Sequence, residues 1–296
     1  NQDRMLVLGE GEVDFLAGLY VNTPQLTDTI ISGNTIAGCD NNCVVSPGGN
    51  CYMQPDAPWI LRNNIIHSGL VGWVVENMGS CIGISHATIY KTEDAIASFF
   101  QNNEVRASNL ILTDTIRAIV TNTAGEGEPH VTTLKDSYIA GISLEATPEA
   151  YEGRTWECSN LNGVIISVAT EVGKIIPPPK SSLPWRRTIT SHLWKATQFV
   201  YNVTFANFDD NLVPGCTGNR VFRTNEYASD ASATVYTWDL TLTNVGSENK
   251  FTFDNADPTW ASIDNCGTYY CTGIKNFLLK DTDGSFAGEP STIIPD

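Results

Sequence analysis

Apolar residues along this chain come in short runs, broken by one or two polar positions, and the runs recur. Asn64-Ile-Ile-His-Ser-Gly-Leu-Val-Gly-Trp73 is followed by Ala87-Thr-Ile-Tyr-Lys-Thr-Glu-Asp-Ala-Ile96, then by Asn109-Leu-Ile-Leu-Thr-Asp-Thr-Ile-Arg-Ala118. Aligned on Ile66, Ile89 and Ile111, the steps are 23 and 22 residues. Each segment predicts a short strand, a polar turn and a second short strand. A fourth coil is placed at His130–Ile142. The pattern resumes with longer spacing at Val203-Thr-Phe205, Leu240-Thr-Leu242 and Phe277-Leu-Leu279, at steps of 37 and 37 residues. A unit this short cannot bury its own apolar face, whereas stacked units share one continuous core. The spacing therefore predicts an all-β fold, a right-handed parallel β-helix with inward aliphatic ladders. Asn64 and Asn109 take matching turn positions, where asparagine tolerates the left-handed backbone and bonds its neighbour in the next coil. An immunoglobulin-like sandwich also has short strands, but nothing in it holds such a register.

Two stretches interrupt the pattern. Cys39–Cys51 is a Gly/Asn-rich excursion pinned by cysteines, and Lys174–Arg187 contains consecutive prolines that exclude regular helix and central strand. The chain thus divides into N-terminal coils with the Cys-rich excursion (1–54), β-helix coils (55–173), a Pro-rich exposed loop (174–189) and C-terminal coils (190–296).

Charge narrows the partners. Seventeen Lys and Arg against 33 Asp and Glu give a net charge of −16. Such a field repels nucleic acid and attracts cations. No apolar run of membrane-spanning length occurs, so no transmembrane segment is expected in this chain. The start at Asn-Gln-Asp is what a processed chain or a piece of a longer one would show. All eight cysteines, Cys39, Cys43, Cys51, Cys81, Cys158, Cys216, Cys266 and Cys271, are disulfide candidates, as in an oxidising compartment. Cys39, Cys43, Cys51 and Cys81 are expected to supply two bridges in the N-terminal part, and Cys266 with Cys271 a small closed loop. Spacing leaves the full connectivity open. Asn202-Val-Thr204 is an N-glycosylation sequon and makes Asn202 a modification candidate.

The candidate chemistry is carboxylate chemistry. A glycosidase needs two carboxyl groups flanking one bond. Asp209 and Asp210 are adjacent and would point to opposite faces of a strand, while Asp281 and Asp283 would share one. Glu93, Asp94, Asp114 and Asp136 fall at comparable turn positions, where the plainer reading is a solvated row of turns and the alternative an acidic stripe along one edge. Asp281-Thr-Asp-Gly284 begins like a calcium loop but lacks the third acidic ligand, and position twelve is Thr292 instead of glutamate. His67, His86, His130 and His192 are scattered without metal-ligand spacing. No metal or cofactor is expected, with calcium at Asp281 and Asp283 as the alternative. The simplest use of that stretch is architectural: Asp281 caps backbone donors and Gly284 supplies a positive φ.

Val203-Thr-Phe-Ala-Asn-Phe208, Phe222-Arg-Thr-Asn225, and the Cys266–Cys271 pair leading into Gly273-Ile-Lys-Asn-Phe-Leu-Leu-Lys-Asp-Thr-Asp-Gly-Ser-Phe286 resemble the fibrocystin and fibrocystin-L group. Cell-surface hyaluronidases carry a similar Asp-x-Asp-Gly-Ser segment. The resemblance covers residues 190–296, with generic coil features over 55–145. It implies a large extracellular protein with β-helix regions, displayed on a membrane or a cilium. Fibrocystins are single-pass surface proteins and not established enzymes. Neither the G8 domain nor the membrane anchor of that family is present in this stretch, so a piece or a shorter relative is expected. No catalytic residue of the hyaluronidases maps onto a position here. The resulting expectation is a non-enzymatic extracellular segment serving adhesion or the assembly of a surface coat or ciliary appendage. Its partners would be other extracellular proteins or copies of itself. The alternative is a glycan-active enzyme or glycan-binding module using Asp209, Asp210, Asp281 and Asp283.

Overall fold

A computed structural model of the chain describes residues 17–20, 31–39, 42–46, 49–50, 61–75, 81–101, 104–123, 130–143, 158–168, 194–224, 231–252 and 277–293. Most of this is strand. The N-terminal elements are β1 (Ala17–Tyr20), β2 (Ile31–Ser32), β3 (Thr35–Ala37), β4 (Asn42–Ser46), β5 (Gly49–Asn50), β6 (Leu61–Arg62) and β7 (Asn64–Val75). There follow β8 (Cys81–Gln101), β9 (Glu104–Thr113), β10 (Arg117–Thr123), β11 (His130–Ala140), β12 (Asn162–Val168) and β13 (Trp194–Ala206). The chain continues through β14 (Arg220–Thr224), β15 (Ala231–Thr243), β16 (Phe251–Thr252), β17 (Phe277–Asp281) and β18 (Ser291–Ile293). Sixteen of them join one sheet, in the order β16-β14-β12-β10-β8-β9-β11-β13-β15-β17-β18, with β1, β3, β4, β5 and β7 attached beside β8. Pairing is parallel except for β5 with β8 and β17 with β18. The small parallel pair β2–β6 stands apart.

What gives this order its regularity is a column of left-handed residues. Asn63, His86, Asn109, Asp136, Asn202 and Asp239 have φ between 49° and 54°, and the strand registers stack them in successive coils. A second column holds Ser68, Lys91, Asp114, Asn207 and Asn244, with φ between 51° and 60°. Left-handed backbone costs an ordinary L-residue roughly 1–2 kcal/mol, less for Asn and Asp, whose side chains bond locally. Eight of these eleven positions are indeed Asn or Asp.

Each pair of turns brackets a four-residue segment. Its first and third side chains point inward, as the period of two requires. Ile66, Ile89, Leu112, Ile139 and Phe205 form one ladder, each at most 1% exposed. Beside it run Ala87, Leu110 and Val203, also buried.

The sequence register needs three corrections. Ile66 pairs with Ile89, but Ile89 pairs with Leu112, so both steps are 23 residues and Ile111 faces outward at 47% exposure. Leu110-Ile111-Leu112 is apolar throughout, which gave the pattern no polar marker, and a slip of one residue exchanges the faces. By the same shift Asn109 stacks on His86 and not on Asn64, which lies inside at 4% exposure. Finally, Phe277–Leu279 does not continue Val203–Phe205 and Leu240–Leu242. It pairs with Ala233–Val235, a step of 44 residues. Extending that register places Phe286 beside Leu242, and Phe286, 1% exposed, meets Phe222 edge-on at 5.3 Å.

Of the cysteines, Cys39 bonds Cys43 and Cys158 bonds Cys216. The first pair lies within the expected N-terminal set. The second, 58 residues apart, was not expected as a pair and joins two successive coils above a small cluster of Ile142, Leu161 and Val213. Cys81 opens β8. Cys51, Cys266, Cys271 and the 174–189 loop lie outside the described residues. Among the described residues no helix is long and apolar enough to cross a membrane.

Candidate functional site

The carboxylates singled out in the sequence fall at two corners of the coil. Asp281 ends β17 on its inward side and is 2% exposed. Its Oδ2 accepts from the amides of Phe286 (3.0 Å) and Ala287 (2.7 Å). Two positions on, exposed Asp283 stands at the first turn column, where its Oδ2 accepts from the Asp239 amide at 2.7 Å and its Oδ1 from the Ser285 amide at 3.0 Å. The Asp239 amide, aided by Ser285 and by the neighbouring Asp281 carboxyl, holds Asp283 down to about 2. The structure thus brings Asp281 and Asp283 together. Ser285 Oγ accepts the Leu240 amide at 2.9 Å, and Thr282 donates to the Thr237 carbonyl from both N (2.9 Å) and Oγ1 (3.1 Å). Gly284, at φ 85°, turns where an added Cβ would lie 2.8 Å from Glu289 Cα. Together these bonds tie the turn onto the coil of β15.

Asp209 and Asp210 sit past the second turn column, on the loop between β13 and β14. Asp209 Oδ1 accepts from the Asn211 amide and from Asn211 Nδ2, both at 2.8 Å. Asp210 accepts from the amides of Gly218 and Asn219, each at 3.0 Å, and lies 3.7 Å from Arg220 Nη1. The adjacent carboxylates therefore serve different partners. All four acidic candidates accept backbone amides, so each organises a turn. Among the described residues, no three of His, Cys, Asp and Glu converge as metal ligands would.

A charged cluster that sequence spacing did not assemble lies on the third strand segment of the middle coils. Asp94 and Arg117 are register partners between β8 and β10. Arg117 Nη2 donates to Glu93 Oε1 at 2.8 Å and to Asp94 Oδ2 at 3.0 Å, and Arg117 Nε pairs with Asp94 Oδ1. Burial raises the Asp94 carboxyl to about 6, against the pull of Arg117 and with a further push from Glu93. The sequence signal was available, since Glu93-Asp94 and Arg117 are 23 residues apart, one coil. Asp114 instead accepts the Ser143 amide at 2.9 Å, and Asp136 accepts from Asn202 Nδ2 at 2.7 Å, so the four residues form no single acidic stripe. His67 stacks on Tyr90 at 4.7 Å and His86 Nδ1 lies 2.8 Å from Ser85 Oγ. Asn202 is exposed in the first turn column, beside Thr204 of its sequon.

These features define an all-β protein of stacked, mostly parallel strands whose acidic turn residues bind their own backbone. The chain is similar to two known proteins over nearly its whole length. It is 23% identical to fibrocystin of Canis lupus familiaris over 301 residues, covering 94% of this chain, and 22% identical to fibrocystin-L of Mus musculus over 299 residues, covering 91%. The similarity thus extends well beyond residues 190–296. The chain spans only 7% of the length of each relative. No family model matches. No solved structure matches either.

Proposed function

We propose that the chain is an extracellular, non-enzymatic segment of a fibrocystin-like surface protein, folded as a right-handed parallel β-helix and used as a stiff element in adhesion or surface-coat assembly. The observation that carries this reading is the use of the acidic candidates: Asp209, Asp210, Asp281 and Asp283 all accept backbone amides of the loop they stand in, and Asp283 also accepts the Asp239 amide of the adjoining strand. A pair committed to catalysis would instead leave oxygens aimed at one shared substrate bond. Two turn columns per coil, held over the same register, support the helical winding. Two disulfides and the exposed Asn202 support an oxidising, secretory route.

The test is expression of the 296-residue chain through the secretory pathway of cultured animal cells. The expected product carries an N-glycan that an amidase removes and that Asn202→Gln lacks. It leaves hyaluronan and a panel of neutral and acidic glycans at full length, with calcium or with chelator. Chain shortening that disappears in a folded Asp281→Asn, Asp283→Asn double variant would overturn the non-enzymatic reading. Retention of the chain as a reduced, unglycosylated cytosolic species would overturn the extracellular one.

A further inference from the structure

Four aromatic side chains stack on the outward face that precedes the first turn column, on β13 and β15. Tyr201 lies on Trp238 with ring centroids 4.3 Å apart and planes 7° from parallel. Phe199 stacks on Tyr236 at 5.4 Å and meets Trp238 edge-on at 6.2 Å. The strand registers set Lys135, Tyr201 and Trp238 in one row and Thr133, Phe199, Tyr236 and Lys280 in the next. Lys280 Nζ stands 5.3 Å from the Tyr236 centroid and closes that second row. In the first row Trp238 covers the β15 side of Tyr201. The other face of the Tyr201 ring is turned toward β11, and Tyr201 is only half-buried.

Asn202 stands at the edge of that open face. It is exposed, has φ 49° at the corner, and donates from Nδ2 to Asp136 Oδ1 at 2.7 Å. Asp136 Oδ2 in turn lies 3.3 Å from Nζ of Lys135, the register neighbour of Tyr201. The side-chain amide of Asn202 is thus drawn to the β11 side of Tyr201. Asn202 also begins the single Asn-x-Thr sequon of the chain. Ahead of the first turn column the earlier coils carry Arg62, Ser85, Ser108 and Lys135, and aromatic residues come only at Tyr201 and Trp238. The sequon and the stack therefore coincide in one coil.

We infer that an N-linked glycan on Asn202 folds back onto this stack, its first N-acetylglucosamine ring covering the β11-side face of Tyr201. This rests on the extracellular reading above, which supplies the glycan, and adds where the sugar goes. In the transfer a bond forms between sugar C1 and Nδ2, the C1–O bond to the polyprenyl pyrophosphate donor breaks, and Nδ2 gives up one proton. A side-chain amide carries two hydrogens, so the second still donates to Asp136 and keeps the sugar on the β11 side. A pyranose ring is polar at its rim and lined with C–H groups on its faces. Laying one face on Tyr201 removes apolar surface of both from water. The covalent link makes the contact intramolecular, at an effective concentration on the order of millimolar, so stacking too weak to capture a free sugar suffices here. The first sugar is then a fixed part of the coil.

The test uses the 296-residue chain secreted from cells that make only oligomannose glycans, trimmed by an endoglycosidase to one N-acetylglucosamine. Mass spectrometry confirms the sugar on Asn202. In NMR spectra the sugar protons are expected upfield of their positions in free glycosyl-asparagine, because the Tyr201 ring current shields them. A Tyr201→Val variant is expected to lose that shift. Thr204→Val removes the sequon and keeps Asn202. The trimmed chain is expected to melt about 1–3 °C above Thr204→Val, and the difference is expected to vanish when both carry Tyr201→Val. Tyr236→Val, in the other row, is expected to retain it. Sugar protons at their free positions in the wild type, or a melting difference that survives Tyr201→Val, would overturn the docking. Both results come from a secreted, glycosylated chain and leave the extracellular reading standing. A chain without sugar on Asn202 also overturns the docking, alone if secreted and together with the extracellular reading if retained in the cytosol.

Discussion

At the scale of single residues, two carboxylates show how position decides use. Asp281 is buried and satisfies two amides with one oxygen, whereas Asp283 is exposed and bridges the Asp239 and Ser285 amides. Leaving a buried donor without its acceptor costs about 1–3 kcal/mol. Asp281→Ala is therefore expected to lower unfolding free energy by roughly 2–4 kcal/mol, and Asp283→Ala by under about 1 kcal/mol, because water replaces the lost acceptor. Urea titration of both variants checks the order. Asp94 behaves in the opposite sense to Asp283. Its folded value of about 6 lies above the ordinary 3.8, so its neutral form is the stabilised one. The contribution is complete below about pH 3.8 and is lost as pH rises through about 6. The stability of the wild type minus that of Asp94→Asn should fall by on the order of 2–3 kcal/mol from pH 4 to 6.5. Arg117→Met removes the partner of a buried carboxyl, and its destabilisation at pH 7, expected at about 3–5 kcal/mol, should shrink toward pH 5 as Asp94 takes up a proton. Denaturant curves at the two pH values read both effects.

At the scale of the element, the left-handed residues divide the longer strands into short segments. A left-handed residue at each end leaves four residues, of which two face the core. The burial then depends on register to one residue. Leu112 is fully buried and its neighbour Ile111 is 47% exposed. Leu112→Ala is expected to cost about 2–5 kcal/mol, as for a closed cavity in a packed core. Ile111→Ala is expected to cost under about 1 kcal/mol. Thermal melts of the pair settle which residue belongs to the ladder. The recurrence of Ile66 and Ile89 was legible from sequence, and so were the paired strands Val203–Phe205 and Leu240–Leu242. The misplacement of Phe277–Leu279 has a plain cause. Three apolar residues in a row look alike in either segment of a coil, and the distinguishing partner, Phe286, lies beyond a turn.

At the scale of the whole molecule, each strand contacts mainly its neighbours in the sheet, so local links between neighbouring strands carry much of the stability. The Cys158–Cys216 bond is one such link, closing a loop of 58 residues. Chain-entropy arguments give such a loop about 4 kcal/mol. Replacing both cysteines by alanine should therefore lower the unfolding free energy by up to about 4 kcal/mol. It should also open the 209–219 loop first, because Cys158 and Cys216 are themselves part of the small cluster beneath it. Hydrogen exchange, with early loss of protection at Gly218 and Asn219, would report that order. The other end of the described sheet is arranged differently. β18 runs antiparallel along β17 and covers part of the edge that a further parallel strand would use.

The sequence by itself determined the all-β class, a recurrence of strand segments at about 22–23 residues in the early part of the chain, Asn109 as a turn residue and the capping of backbone donors by Asp281 ahead of the Gly284 turn. Each of these is a local matter: a period of two, a left-handed φ, a side chain that reaches its own backbone. Tertiary structure alone decided which of Ile111 and Leu112 faces inward, that Cys158 meets Cys216, and that Arg117 sits between Glu93 and Asp94. Those outcomes depend on which coil lies above which. Stacking register is set by the sum of many packed contacts, and no single short stretch of sequence carries it.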